Sequence, residues 1–222
     1  MTTVGLIGSG NIGTTVARLA IAAGHQVVLS NSRGPETLAD EVAELGPRAS
    51  AATSGEAIAA GDIVVVLVPV KAFPSLPATS LAGKTVIDPW DYYPQRDGHV
   101  PELDSKLLTS SELLQRYIPG ALLVKAFNNI FFKHLLSLAR PAGADGRSYL
   151  LIAGDSLQGK AAATEFIGSI GYGVADAGAL ADSWRQEPGT PVYLTPYGPA
   201  SDEKGHPADE DAIRAALAAA TR

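Results

Sequence analysis

The stretch Val4-Gly5-Leu6-Ile7-Gly8-Ser9-Gly10-Asn11-Ile12-Gly13, followed by Thr14 to Ala23 and then Gln26-Val27-Val28-Leu29-Ser30, decides the fold. It reads as a short apolar strand, a G-x-G-x-x-G turn, a helix and a second strand. That is the layout of a dinucleotide-binding unit. The three glycines serve different ends. Gly8 makes the tight turn, Gly10 admits the pyrophosphate to the backbone, and Gly13 lets helix and strand pack closely. The helix then presents free N–H groups and a partial positive charge to the phosphates.

The residues after the second strand select the nucleotide. A binder of the unphosphorylated cofactor usually places Asp or Glu there to grip the ribose 2′-hydroxyl. Here the chain reads Ser30-Asn31-Ser32-Arg33-Gly34, with no carboxylate before Glu36. Arg33 offers a permanently charged planar fork for a 2′-phosphate, and Ser32 adds a hydrogen bond. The expectation is NADP(H), with a solvated loop arginine as the plainer alternative.

Composition narrows the partners. The net charge of −6 leaves no basic stripe to neutralise a phosphate backbone, so nucleic acid is not expected as a partner. The absence of cysteine removes disulfides, thiol catalysis and cysteine-ligated metals. The longest strongly apolar run, 63–70, is far short of a membrane span, and the N-terminus enters a strand without a signal-peptide pattern. The chain therefore reads as a cytoplasmic, soluble protein with a small-molecule substrate and no membrane partner.

Strands and helices alternate along the chain, which predicts an α/β fold: a Rossmann doubly wound parallel sheet with a small C-terminal α/β part packed against it. Further strands are expected at 49–52, 63–68, 85–87, 122–124, 149–152 and 172–175. Helices are expected at 36–45, 55–60 (capped by Ser54), from Ser110 or Ser111 with Glu112 to about Tyr117, and at 131–139, 157–170 and 209–220. Residues 88–108 and 186–207 read as long loops. The Arg140–Gly146 stretch is the best internal boundary. It divides an NADP-binding domain at 1–140 from a small C-terminal domain at 147–222. The apolar Phe131-Phe132, Leu135-Leu136 and Leu138 suggest a homodimer.

In an open parallel sheet the ligand lies beyond the carboxyl ends of the strands. That rim collects the glycine loop, Ser32 and Arg33, Val68-Pro69 as an apolar shelf for nicotinamide, Asp88-Pro89-Trp90-Asp91-Tyr92-Tyr93 from the fifth strand, and Lys125-Ala126-Phe127-Asn128-Asn129. Ala126 is small enough to let backbone meet a ring edge. Asn128 carries both a donor and an acceptor. Lys125 and Asn128 are the candidate catalytic groups, with Tyr92 or Tyr93 as alternative proton donors. Asp88, Asp91, Asp97 and His99 lack metal-ligand spacing and read as a solvated acidic loop, so no metal is expected.

Several of these stretches, in order and spacing, resemble the NADP oxidoreductases that use the deazaflavin coenzyme F420. They are VGLIGSGNIGTTVARLA, SNSRGPETLA, DIVVVLVPVKAF, TVIDPWDYYPQRDG and LLVKAFNNI, with AGD and GYGVADAG beyond. The resemblance implies hydride transfer between NADP(H) and a deazaflavin or flavin ring. It also implies Ser9, Asn11 and Ile12 beside the glycines on the pyrophosphate, Ser32 and Arg33 on the 2′-phosphate, and Val68, Pro69 and Ala126 near nicotinamide. Two other readings stay open. The K-x-x-N-N pattern from Lys125 suits an NADPH-dependent reductase of a small carbonyl or imine, and a non-enzymatic NADP(H) sensor is the third.

Overall fold

The computed structural model describes residues 1–222. In chain order its elements are β1 (Thr3–Ile7), α1 (Asn11–Ala22), β2 (Gln26–Ser30), α2 (Ala39–Leu45), β3 (Ala49–Ala51), α3 (Ser54–Ala60), β4 (Ile63–Val66), α4 (Ala78–Leu81) and β5 (Thr85–Asp88). They continue with α5 (Pro94–Asp97), α6 (Pro101–Asp104), α7 (Ser110–Tyr117), β6 (Leu122–Lys125), α8 (Phe132–Ser137), β7 (Tyr149–Ile152), α9 (Leu157–Ser169), β8 (Gly173–Asp176) and α10 (Glu210–Ala218).

Six strands form one parallel sheet in the order β3-β2-β1-β4-β5-β6. The order reverses between β1 and β4, which is the switch point of a doubly wound α/β fold. Successive side chains point to opposite faces, and the two cores follow that alternation. Val4, Leu6, Val27, Leu29, Ile63, Val65 and Ile87 pack on the α1 side. Ile7, Val64, Val66, Val86 and Leu123 pack on the side of α3, α4 and α7. Burial on both faces explains the continuous β-branched run at β4.

The C-terminal unit pairs β7 with β8 in parallel. It joins the main sheet through an antiparallel bridge, where Lys125 and Ala153 exchange both backbone hydrogen bonds (2.8 and 3.1 Å). The α1-side core runs without a break from Val4 and Leu6 into Leu150, Ile152, Phe166 and Ile213. No helix is long and apolar enough to cross a membrane.

Some local expectations change. Thr53, not Ser54, caps α3: its hydroxyl accepts from Glu56 N while Glu56 answers at Thr53 N, a reciprocal box that a neighbouring serine could not close. The segment 36–45 opens as a 3₁₀ turn at Pro35–Leu38 before α2 begins. The stretch 88–108 holds two single-turn helices, α5 and α6, each started by a proline. The proline-rich 186–207 segment is anchored by fully buried Val192 and Tyr197, and the Tyr197 hydroxyl donates to Tyr149 O at 2.6 Å. Leu135 and Leu138 are core residues, which withdraws them from the face suggested for a dimer.

Candidate functional site

Strand β1 ends at Gly8, whose N–H donates to Ser30 O at 2.9 Å and whose φ is +115°. Such a backbone is nearly closed to side chains, and a Cβ here would also fall 2.7 Å from Leu67 O. At Gly13 a Cβ would come 2.9 Å from Gly8 O, so the first turn of α1 sits directly on the loop. A Cβ on Gly10 would meet nothing within 4 Å. Gly10 is the N-cap of α1, without a side-chain cap and with no acid in the first turn. The amides at this end are left for an anionic ligand.

Beside this cradle lies a cavity of about 370 Å³. Gly10, Asn11 and Ile12 form one end of its lining, and Trp90, Tyr93, Phe131 and Tyr193 supply the aromatic walls. Leu67, Phe127 and Leu194 complete the apolar surface, while Asp91, Asn128 and Arg96 bring polar groups. Phe127 (φ +65°) and Leu194 (φ +63°) hold left-handed backbone conformations, although neither is glycine. Each costs of order 1 kcal/mol. Such strain clusters at ligand sites.

The sequence-derived residues distribute unevenly around this cavity. Gly10, Asn11, Ile12 and Asn128 line it. Ser9 is half-buried in the loop behind them, and Ser32 and Arg33 are exposed beyond β2. The Arg33 N–H donates to Asn31 Oδ1 at 2.9 Å, and its guanidinium enters no ion pair in the chain. Val68 and Pro69 follow β4, but the side chain that reaches the cavity there is Leu67. Ala126 is fully buried, and Phe127 takes the expected place at the rim. Tyr92 is held away from the cavity by Gly98 O (3.0 Å) and Asp104 Oδ1 (2.6 Å).

Lys125 is also placed differently from the expectation. Its side chain is fully buried and does not line the cavity. The ammonium donates to Trp90 O and to Ser110 Oγ (3.0 Å) and stands 3.6 Å from Asp88 and 3.8 Å from Asp91. The ammonium is therefore turned into a buried cluster and away from the rim. Burial opposes its charge, yet Asp88, Asp91 and Glu187 outweigh that penalty and raise its pKa.

Asp88 and Asp91 are not a solvated acidic loop, because both are buried with this lysine. Three carboxylates thus face one ammonium. Asp88 accepts from Trp90 N (2.9 Å) and Ser111 Oγ (2.7 Å), and Glu187 accepts from Ser110 N (2.8 Å) and Oγ (2.7 Å). The Asp91 carboxylate receives one hydrogen bond, from Asn128 Nδ2 at 2.9 Å. Burial pushes the Asp91 pKa up to about 7, against the pull of Lys125 and Asn128. The sequence reading sets the 88–93 stretch on the rim but gives Asp91 no role there. A signal was available, since a lysine closing an apolar strand in register with Asp88 requires buried acids around it.

The two N–H groups of Asn128 go to Asp91 and to Gln186 O (2.7 Å), which fixes the orientation of the amide. Its carbonyl oxygen is buried without a partner. A group within the cavity that donates a hydrogen bond, such as a carboxamide N–H, would satisfy it.

Comparison with known proteins agrees with this architecture. A hypothetical protein from Sinorhizobium meliloti superposes with a TM-score of 0.75 at 29% identity, covering 86% of this chain and 93% of that one. A putative F420-dependent NADP-reductase from Arthrobacter superposes with a TM-score of 0.66 at 25% identity, covering 82% and 87% respectively. The rat metalloreductase STEAP3 is 30% identical over 195 residues, or 87% of this chain. The chain spans 37% of the length of that relative. Residues 3–92, which carry the glycine cradle at the switch point, match the family described as NADP oxidoreductase, coenzyme F420-dependent.

Proposed function

We propose that the protein is an NADP(H)-dependent reductase that passes hydride from NADPH to a ring acceptor, a deazaflavin or a flavin. The observation that carries this reading is the cavity itself, which joins the end of the glycine loop to walls of Trp90, Tyr93, Phe131 and Tyr193. A planar acceptor can stack on such walls while the nicotinamide lies across Leu67 and Ile12. The residues present suit the dinucleotide: Gly10 opens onto free helix amides, the Arg33 guanidinium is unpaired, and Asn128 Oδ1 lacks a donor. When bound, the cofactor supplies the hydride. The protein aligns the two reacting carbons at roughly 3–3.5 Å and excludes water.

A second reading, reduction of a small carbonyl or imine, is favoured by the buried carboxyl of Asp91 at the cavity wall, since that chemistry consumes a proton. Following NADPH absorbance with coenzyme F420, FMN, and panels of carbonyls and imines in turn separates the two. Turnover with the ring acceptors supports the first reading. Turnover with carbonyls or imines alone replaces it with the second, and binding of NADPH without turnover defeats both in favour of a sensor.

A further inference from the structure

On the hydride-transfer reading, the geometry points to Asp91 as the acid that delivers the proton accompanying hydride to the acceptor. Several groups near the cavity carry protons that could serve. Lys125 does not line the cavity, and its ammonium is turned to Trp90 O and Ser110. Tyr93 and Tyr193 line it, but their hydroxyls hydrogen-bond each other. Arg96 lines it with a guanidinium that does not release its proton. Asp91 lines it with a carboxyl that accepts from the Asn128 amide N–H and stands beside the Tyr193 hydroxyl and the Lys125 ammonium.

The surroundings make a proton on Asp91 both stable and removable. Asp88 faces it from β5, Glu187 from the segment after β8, Lys125 from β6, and Tyr93 and Tyr193 from the cavity walls. Arg96 is held against the Asp91 backbone carbonyl and Asp97. With Asp88 and the half-buried Glu187 already accepting two hydrogen bonds each, a further negative charge is the least well supported at Asp91. Burial accordingly holds its pKa near 7, where a general acid works best at neutral pH. By contrast, burial raises both tyrosine pKa values, which makes those hydroxyls weaker acids.

The step balances. A reduced nicotinamide dinucleotide gives hydride, with its electron pair, to an electrophilic carbon conjugated to nitrogen or oxygen, or to the corresponding ring nitrogen of a flavin. The O–H bond of Asp91 breaks as its proton passes to the conjugated heteroatom. The carboxylate that remains lies 3.8 Å from the Lys125 ammonium until a solvent proton restores it. The acceptor is thus a two-electron oxidant with a basic heteroatom, such as a ring nitrogen, an imine or a carbonyl.

The test has one arm without turnover. Infrared difference titration of the nucleotide-free protein, wild type against Asp91→Asn, should show a protonated carboxyl at about pH 5 that is lost by about pH 9. Absence of that band at the lower pH overturns the proposal. In the second arm, wild-type kcat should fall as pH rises through about 7. Asp91→Asn should lower kcat about 10²-fold or more and flatten that limb. Asp91→Glu, which keeps a carboxyl, should recover part of the rate and bring the limb back. A folded Asp91→Asn with the wild-type rate and limb refutes the assignment and leaves hydride transfer standing. Failure of the wild type to oxidise NADPH with any acceptor removes hydride transfer itself, while the infrared arm still reports on the proton.

Discussion

Asn128 spends both of its N–H groups on the protein, at 2.9 Å to Asp91 and 2.7 Å to Gln186 O, and leaves its buried carbonyl oxygen without a partner. One side chain therefore ties the carboxyl of Asp91 to the place where the nicotinamide should lie. Asn128→Ala should weaken NADPH binding and also raise the pH at which kcat declines. A hydrogen bond to a charged group is worth about 1.5 kcal/mol, or roughly one pKa unit. Steady-state profiles from about pH 5 to 9 measure both effects. An unmoved limb would mean that Asn128 does not govern Asp91.

Lys125→Met should strip the buried ammonium from Asp88, Asp91 and the half-buried Glu187. Breaking a buried pair costs roughly 3–5 kcal/mol. Denaturant unfolding near neutral pH should register a loss of that order, and the loss should shrink in acid as the carboxylates protonate. A cost below ~1 kcal/mol would show that the ammonium is not needed to hold this cluster.

Asp91 also imposes a pH dependence on stability. Its folded pKa, about 7, lies above the ordinary value of 3.8, so between those values the folded state holds a proton that the unfolded state has lost. Stability from this group therefore falls as pH rises through about 4 to 7 and levels off above. The full span is on the order of 4 kcal/mol. Asp91→Asn should remove the slope and be the more stable form near pH 8, as read from urea midpoints at a series of pH values. A steeper decline in the variant would contradict this.

Arg33→Ala should separate the two dinucleotides. Its guanidinium makes no ion pair in the chain, so its loss costs the fold little. Loss of a charge-assisted contact to a 2′-phosphate is worth about 1.5–3 kcal/mol. Calorimetry should then find NADPH weakened roughly 10- to 100-fold and NADH almost unchanged. Equal losses for both nucleotides would remove the basis for the preference.

The loop glycines should divide stability from binding. Gly8→Ala places a methyl 2.7 Å from Leu67 O on a backbone with φ +115°, and thermal melts should show a marked loss. Gly10→Ala puts its methyl in open space, so the fold should stay within about 1 kcal/mol of wild type. Its dinucleotide affinity should nevertheless collapse, because the methyl occupies the approach to the α1 amides. Normal NADPH binding by Gly10→Ala would place the pyrophosphate elsewhere.

The sheet and its cradle were readable because their signals are local. Residues 4–13 carry strand, turn and helix start within one short run, and β4 is apolar throughout because both its faces are covered. The helices α5 and α6 were not readable, since single turns of four residues show no periodicity. Nor could the chain alone choose between Thr53 and Ser54, adjacent residues with the same capping chemistry. The site divided in the same way. Gly10, Asn11 and Ile12 reach the cavity from the motif that announces them. Asp91 acquires its character from Lys125, Asn128 and Glu187, which are distant in sequence and meet it through the fold alone.

The paired backbone bonds between Lys125 and Ala153, and the apolar interior that crosses with them, have a mechanical consequence. Halves joined in this way cannot open and shut like a clamshell around the bound nucleotide. On the hydride-transfer reading, sequestration of the reacting pair then falls to the cavity walls that carry Tyr93 and Tyr193, whose hydroxyls hydrogen-bond each other, over a rigid bed like that of an anvil.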